Sequence, residues 1–524
     1  MNIIKYTVLF ALGLTVITAC TDLDVEPKDL TTGNIVFDDP TQYEAFIAKI
    51  YAGLAVTGQQ GPAGQPDIQG IDEGFSSYLR TYWKAQELST DEAVTAWGDP
   101  GIQDFHNHNW TSSNPMITAL YARFFYQIGL TNEFLRESTD AKLEERGITG
   151  DLREEIEQFR AEARFLRALS YWHALDMFRN IPFFTEESNL GDLPEQGSPQ
   201  EVFNYIESEL LAIESELAAP GTGAYGRADQ AAAWAVLAKL YLNSEVYVNE
   251  DHYTEVIDFT TRIIESGAYT LQPEYGHLFL TDNNSSPEII FPVLFDGRYT
   301  RSFGGMTFLT HMPVGGSMDA AEYGIDGGWF GMRATSALVD LFPTTDGTID
   351  ERSGLFYTEG QSRVIENINT FTDGIGVVKY RNVSSAGVPG VNALHPDTDF
   401  PMFRLADIYL MYAEAVLRGG GGSVNQAVDF INEIRERAYN DQSGNIAIGD
   451  LDLDFIIDER ARELYWECHR RTDLVRFDLF SENGRWPWKG GVQEGRTTDA
   501  YRDIYPIPSN ETIANTNLDQ NPFY

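Results

Sequence analysis

Two apolar rows along one predicted helix constrain the fold more than any other feature of the sequence. Between residues 156 and 177, apolar side chains recur every three or four positions, the spacing of one face of an α-helix. A helix with two such rows must pack against neighbours on both sides, as in stacked helical hairpins. The first row contains Ile156, Phe159, Ala163, Leu166, Ser170, His173 and Met177, and the second contains Phe165, Leu169 and Trp172.

Similar periodicity predicts helices along the rest of the chain, and one pair of them resembles a repeat unit. Residues 228–246 and 252–266 have tetratricopeptide character, because small alanines permit close helix approach and Trp234 fills the gaps between them. Cys468 is expected inside a helix as a buried, small apolar residue. The predicted fold class is mostly α, a tetratricopeptide-like helical-repeat scaffold with long loop-rich insertions. The further helices are predicted at about 41–56, 115–137, 200–218, 403–418, 424–439 and 454–480.

Two long loop-rich regions interrupt these helices. They cover 57–114 and about 268–400, and they are rich in glycine and aromatic residues. Loops of this length in a compact protein usually carry function, so we expect them to form the ligand site. The predicted organisation is an N-terminal helical region (41–270, with binding loop 57–114), a loop-rich ligand-binding region (271–400) and a C-terminal helical region (401–524).

The N-terminus is typical of a lipoprotein export signal. Lys5 and an apolar run from Tyr6 to Ile17 precede Thr18-Ala19-Cys20. Small residues before a cysteine fit lipoprotein processing, and the apolar run is too short to span a bilayer. We expect a signal peptide at 1–19, lipid on Cys20 and a tether at 20–40, which would anchor the protein to the outer membrane. The alternative is an ordinary secretory signal with a chance cysteine.

The charge of the chain limits its partners. The chain has 79 acidic and 37 basic residues, a formal net charge of −42. Such a surface repels nucleic acid and anionic lipid, so neither is expected as a partner. With 43% hydrophobic and 13% aromatic residues, the acidity does not indicate disorder, and a neutral ligand suits it best.

Two acidic or histidine-containing segments resemble metal sites without meeting their requirements. Asp450–Asp454 resembles the start of a calcium loop, but Phe455 and Ala461 replace the glycine and glutamate that an EF-hand needs. An acidic turn that caps the next helix is expected there. His106 and His108 lack a third ligand at helix spacing, so a polar loop is expected. No metal or cofactor is predicted, although a structural calcium held by loop carboxylates stays open.

Two further motifs resemble enzyme signatures. Residues Gly221–Gly226 match the dinucleotide fingerprint, but a predicted helix precedes them where that motif needs a strand. Glu459 and Glu463 are neighbours on one helix face beside Arg460 and Arg462, which favours an ion-pair network over the opposed carboxylates of a glycosidase. We therefore do not expect an enzyme.

Several segments, in their order along the chain, resemble the SusD/RagB family of outer-membrane nutrient-binding lipoproteins. The resemblance implies a tetratricopeptide-like scaffold, exposure at the cell surface, oligosaccharide or polysaccharide as ligand, and a SusC-like TonB-dependent transporter as partner. The segments are Ala161–Ala168, Phe178–Phe183, Gly226–Asp229, Arg404–Ala415, Asp458–Leu464, Arg471–Phe477, Tyr505–Pro508 and Asn517–Pro522.

Within that family, the loops resemble those of a starch-binding member. The resemblance implies an aromatic arc of Trp97, Phe303 and Trp329 that follows a curved glucan, with Arg80 as a donor to sugar hydroxyls. A pyranose ring suits such a set, because its C–H face packs on aromatic rings and its hydroxyls bond polar side chains.

Three positions of that site depart from the starch-binding member. Thr95 stands where that protein has an aromatic residue, Phe303 where it has tyrosine, and Asp99 near the place of an asparagine. The primary expectation is α-glucan binding. The alternatives are another glycan such as the β-glucan laminarin, a polysaccharide-degrading enzyme, and a purely structural adaptor.

Overall fold

Helices form the framework of the protein, as the apolar periodicity predicts. The computed structural model describes residues 36–37, 39–58 and 60–524, so the predicted signal peptide, Cys20 and most of the tether lie outside the described residues. The helices are α1 (Thr41–Ala52), α2 (Tyr78–Gln86), α3 (Asp104–Asn107), α4 (Pro115–Glu137), α5 (Asp140–Glu145), α6 (Asp151–Phe178), α7 (Pro199–Ile213), α8 (Gln230–Leu242), α9 (Ser244–Val248), α10 (Tyr253–Glu265), α11 (Gly305–His311), α12 (Ser336–Val339), α13 (Leu405–Leu417), α14 (Val424–Tyr439), α15 (Leu453–Leu464), α16 (Arg470–Arg476) and α17 (Ser509–Ala514).

The strands are short and pair two by two. Each pair is antiparallel, and the pairs are β1 with β5, β2 with β3, β4 with β8, and β6 with β7. Two of these pairs, β1 with β5 and β4 with β8, join distant parts of the chain. They are β1 (Val94–Thr95), β2 (Ile181–Phe183), β3 (Glu195–Gly197), β4 (Ile289–Val293), β5 (Met332–Arg333), β6 (Phe356–Tyr357), β7 (Gly376–Val377) and β8 (Phe400–Arg404).

Helix α6 is buried on both of its apolar rows. Every residue of the two predicted rows is buried, and α6 packs against both α4 and α7. The stack continues through α8, α10, α13 and α14, each in contact with the next. The pair α8 and α10 corresponds to the predicted repeat unit. The prediction of a mostly helical, hairpin-stacked scaffold is confirmed.

Polar side chains fix several helix starts. Asn114 accepts hydrogen bonds from the first backbone N–H groups of α4, and Asp452 accepts one from Phe455 N at the start of α15. Asp229 caps α8 and also accepts a hydrogen bond from Gly221 N at 2.7 Å. The 221–226 segment is therefore a turn between helices, and Asp450–Asp454 forms a capping turn, as predicted.

The predicted single helix 454–480 is wrong. The chain leaves helical geometry between α15 and α16, where Trp466 and Cys468 have φ values of +63° and +69°. Two buried carboxylates hold this break: Glu87 accepts hydrogen bonds from Cys468 N and His469 N, and Glu92 accepts one from Trp466 N. Cys468 is buried as predicted, but it lies in the break and not in a helix.

Glu459 and Glu463 lie inside the molecule in an ion-pair network. Glu463 contacts Arg404 at 2.6 Å, Arg352 at 3.1 Å and also Arg437, while Glu459 contacts Arg352 at 2.8 Å. All five side chains are nearly or fully buried. The network joins α15 to α14, to β8 and to the loop before β6, which confirms the predicted structural role.

Residues Tyr43–Tyr524 cluster as one compact unit. Among the described residues, no helix combines the length and apolarity needed to cross a bilayer.

Candidate functional site

Strand pairing places the segment that carries Thr95 and Trp97 against the segment that follows Trp329. In the β1–β5 pair, Thr95 lies opposite Met332, and Ala96 N donates to Gly331 O at 2.9 Å. The Trp97 ring rests directly on Gly331, where an added Cβ would lie 2.4 Å from the indole. Only glycine leaves room for this contact, so the sequence at 331 fixes where the Trp97 ring lies.

Trp97 and Trp329 lie side by side in the resulting surface. The Trp97 Nε1–H donates to Trp329 O at 2.8 Å, and the two ring centroids are 6.4 Å apart with planes at 45°. Phe303 lies on the other side of Trp329, with centroids 6.5 Å apart and planes at 67°. All three rings are half-buried. The predicted aromatic arc (Trp97, Trp329 and Phe303) is therefore one continuous cluster.

The Phe303 loop is fastened to helix α2. Ser77 caps α2 by accepting from Arg80 N at 3.4 Å and also accepts from Gly305 N at 3.2 Å, at the start of α11. Gly304 packs so closely on Ser77 that a Cβ would collide with its hydroxyl. This contact holds Phe303, just before α11, beside the helix that carries Arg80.

Arg80 forms the floor of the aromatic arc. Its Nη1 donates to Gly74 O at 2.6 Å and to Phe303 O at 2.7 Å. Its guanidinium lies 5.8 Å from the Trp97 centroid, 5.7 Å from that of Trp329 and 4.6 Å from that of Phe308. Burial lowers the pKa of Arg80 to about 10, so the group remains charged at neutral pH.

Thr95 and Asp99 occupy different positions relative to the arc. Thr95 is fully buried, and its hydroxyl accepts from Trp97 N at 3.1 Å, so it positions Trp97 and does not face the surface. Asp99 is exposed beyond Trp97, and its carboxylate acts electrostatically on Arg80 to favour the charged guanidinium.

Sequence reasoning missed several residues of this surface. His311 is fully buried and packs against Trp329 with centroids 5.0 Å apart and planes at 36°, and burial lowers the pKa of its ring. Gln103 Nε2 donates to Trp97 O at 2.9 Å and to the Asn369 side chain at 3.0 Å. Tyr299, in the turn before Phe303, is 82% exposed. A tyrosine four residues before a predicted site residue was a usable sequence signal, whereas the other two residues depend on long-range packing.

The histidine pair that resembles a metal site lies away from solvent. His106 and His108 are buried, and His108 Nε2 lies 2.7 Å from Ser89 O, so the expected polar loop is wrong. Burial lowers the pKa of His106 to about 3. Within residues 36–37, 39–58 and 60–524, no three His, Cys, Asp or Glu side chains are grouped as metal ligands would be.

The arc combines ring faces with polar groups at its edge. Aromatic faces pack well on C–H surfaces, and the neighbouring guanidinium, carboxylate and amide groups can bond hydroxyls. The set therefore suits a ligand with apolar faces and hydroxyl-bearing edges.

Two sequence comparisons point to the same family. A model described as the SusD family matches residues 353–524. The chain is 36% identical to the starch-binding protein SusD of Bacteroides thetaiotaomicron over 559 aligned positions, which cover 97% of this chain and 96% of that protein. It is also 25% identical to a SusD-like protein of Formosa agariphila, with 99% and 100% of the two chains covered.

Solved structures share the fold. A SusD superfamily protein from Bacteroides vulgatus superposes with a TM-score of 0.72 at 18% identity, covering 93% of this chain and 99% of that one. The surface glycan-binding protein A of Bacteroides thetaiotaomicron, solved in complex with laminarihexaose, has a TM-score of 0.70 at 17% identity, covering 92% and 99%.

Proposed function

The chain belongs to the SusD family, and on that premise we propose that it binds an α-glucan (starch, glycogen or maltooligosaccharide) on the aromatic arc. The orientation of the rings favours a glycan that coils, and the resemblance to a starch-binding relative favours an α-glucan among such chains. Neighbouring ring planes differ by 45° between Trp97 and Trp329 and by 67° between Trp329 and Phe303. A straight, flat glycan cannot lie on all three faces at once, whereas a chain that coils can follow them. The resemblance to a starch-binding relative over nearly the whole chain supports the same ligand.

Several weak contacts suit a protein that captures and then releases its ligand. Each aromatic face contributes on the order of 1 kcal/mol, so a few of them give moderate affinity. Arg80 is held by two carbonyl groups through Nη1, which leaves the other side of the guanidinium for sugar hydroxyls. A binding role without catalysis fits these groups.

The cellular role follows from the lipoprotein signal and the family. We place the protein at the surface of the outer membrane, anchored by lipid on Cys20, where it delivers glycan to a SusC-like TonB-dependent transporter. The acidic surface suits a neutral sugar better than a charged polymer.

Calorimetric titration tests the ligand and the site together. Soluble protein starting at Thr21 is titrated with maltoheptaose and with a laminarin oligosaccharide of equal length. Maltoheptaose is expected to bind. Trp329→Ala is expected to lower the affinity for maltoheptaose by about tenfold or more, because a ring and its contacts to two other rings are lost. Phe523→Ala is the matched control, since Phe523 is 86% exposed outside the arc.

Each contrary result has a definite meaning. Binding of laminarin alone replaces the α-glucan with a β-glucan at the same site. An unchanged affinity in Trp329→Ala removes the arc as the site. Absence of binding to either glycan, or release of reducing ends from bound polymer, contradicts the proposed ligand or the non-catalytic role.

A further inference from the structure

Phe330, the residue after Trp329, is held in an unusual exposed position. It is 52% exposed and has a φ of +54°, in the left-handed region that bulky residues rarely adopt. Its backbone N–H donates to Val314 O at 3.1 Å, and its ring meets Phe371 edge to face with centroids 5.6 Å apart. The other support is Gly315, where an added Cβ would lie 2.5 Å from the ring. A strained, exposed and firmly supported ring points to a functional role.

A polar loop lies beside this ring. The loop Glu366–Asp373 is fastened by the buried Arg333, whose guanidinium donates to Asp373 O at 2.8 Å, Ile368 O at 2.8 Å and Thr370 O at 3.2 Å. Arg333 belongs to β5, the strand that pairs with Thr95 and so positions Trp97. Thr372 shares the Gly315–Gly316 floor with Phe371. The side chains that the loop offers to solvent include Asn367, Asn369, Thr370 and Thr372.

A hydrogen-bonded side chain links the same loop to the aromatic arc. Gln103 Nε2 donates to both Trp97 O and the Asn369 side chain, so it ties the Trp97 end of the arc to the loop. Trp329 and Phe330 are neighbours in sequence, and their rings pack on different partners, His311 and Phe371. One turn of the chain therefore supplies a ring to each of two adjoining surfaces.

We propose that Phe330 and the loop Glu366–Asp373 form a second sugar platform that takes the glycan units beyond those on the aromatic arc. This inference rests on the proposed function and deepens it. An exposed ring face next to amide and hydroxyl side chains repeats the chemistry of the arc. Because the second platform engages only chains that reach past the arc, it sets the chain length needed for full affinity.

The test compares chain lengths in two matched variants. Maltotriose and maltoheptaose are titrated against the wild type, Phe330→Asn and Phe523→Asn. Asparagine tolerates the left-handed backbone, so the change removes the ring without adding strain. Phe523 also has a left-handed φ of +70° and one aromatic neighbour, Tyr501, at 5.8 Å. Thermal melts check that both variants remain folded.

Phe330→Asn is expected to lower the affinity for maltoheptaose by about fivefold and to change the affinity for maltotriose by less than about twofold. The reason is that only the longer chain contacts the ring that is removed. Phe523→Asn is expected to change neither. Equal affinities in Phe330→Asn and the wild type, or an equal loss for both lengths, overturn the second platform. If the wild type binds only laminarin oligosaccharides, the same comparison is made with that series. If it binds no glycan, the proposed function fails first and this inference with it.

Discussion

At the scale of single residues, Arg80 connects helix α2 to the aromatic arc. It lies on α2, yet it donates through one nitrogen to Phe303 O in the loop before α11 and faces the Trp97 and Trp329 rings. A lysine cannot take the place of this charged, planar donor, because its ammonium is a point charge without a flat face to pack against the Trp97, Trp329 and Phe308 rings.

Arg80→Lys is therefore expected to lower maltoheptaose affinity by about tenfold. The loop that carries Phe303 loses a charge-assisted hydrogen bond, and we expect the free energy of unfolding to fall by about 1–3 kcal/mol. Titration calorimetry and chemical denaturation measure the two effects. Arg298→Lys, a change at an exposed arginine in the neighbouring turn, is the control. Wild-type affinity in Arg80→Lys would remove Arg80 from the site.

The sequence predicted the positions of some site residues better than those of others. Sequence resemblance selected Trp97, Trp329, Phe303 and Arg80, and the structure places all four in one cluster. Thr95 was selected on the same basis, but the two-residue strand β1 buries it against β5. A strand that short has no alternation for sequence reasoning to detect, and its partner lies in a different loop region.

At the scale of elements, the break between α15 and α16 depends on a pair of buried acids. Burial raises the pKa of Glu92 to about 7 and holds that of Glu87 well above its ordinary value, and Glu92 adds to the effect on Glu87. The pair also faces Arg470, 3.8 Å from Glu92, and the backbone N–H groups of Cys468 and His469. A protonated Glu87 bonded to Glu92 fits these contacts.

Glu87→Gln is expected to change how stability depends on pH. Because burial raises the pKa of Glu87 in the folded protein, the stabilisation by its proton is complete below about pH 4.5 and is lost progressively as pH rises above that value. Glutamine keeps the neutral form at every pH. The variant should match the wild type near about pH 5 and exceed its free energy of unfolding by about 1–3 kcal/mol near about pH 8.

Chemical denaturation at both pH values measures this difference. Glu359→Gln, a change at an exposed glutamate, is the control and should show the same pH dependence as the wild type. A difference between Glu87→Gln and the wild type that does not grow with pH would falsify the protonated pair.

The same break shows why one predicted element was wrong. Residues 454–480 have helical periodicity throughout, and α15 and α16 account for most of them. The interruption depends on Glu87 and Glu92, about 380 positions earlier in the chain, whose side chains bond the freed N–H groups. Local sequence carries no sign of such a contact. By contrast, α6 was predicted well because its two apolar rows are a local pattern.

At the scale of the whole molecule, the helical stack was predictable and the arrangement of the loops was not. Stacked hairpins follow from the spacing of apolar residues, which each helix carries in its own sequence. The candidate site instead depends on the pairing of β1 with β5 and on the hydrogen bond from Gln103 to Asn369. These contacts join the regions 57–114 and 268–400, and resemblance to relatives was the only sequence signal that paired them.

The net charge of −42 gives a test of the ligand class that involves the entire surface. Raising the salt concentration from about 0.05 to 0.5 M shortens the screening length severalfold and weakens repulsion among the acidic side chains. We therefore expect the melting temperature to rise by several degrees.

A neutral glycan held by ring faces and hydrogen bonds gains nothing from screening, so its Kd should change by less than about twofold. An affinity that improves strongly with salt would indicate an anionic polysaccharide that the surface repels. A melting temperature that falls would mean that screening of the ion pairs outweighs relief of the repulsion. Differential scanning fluorimetry and calorimetry on the same samples separate these outcomes.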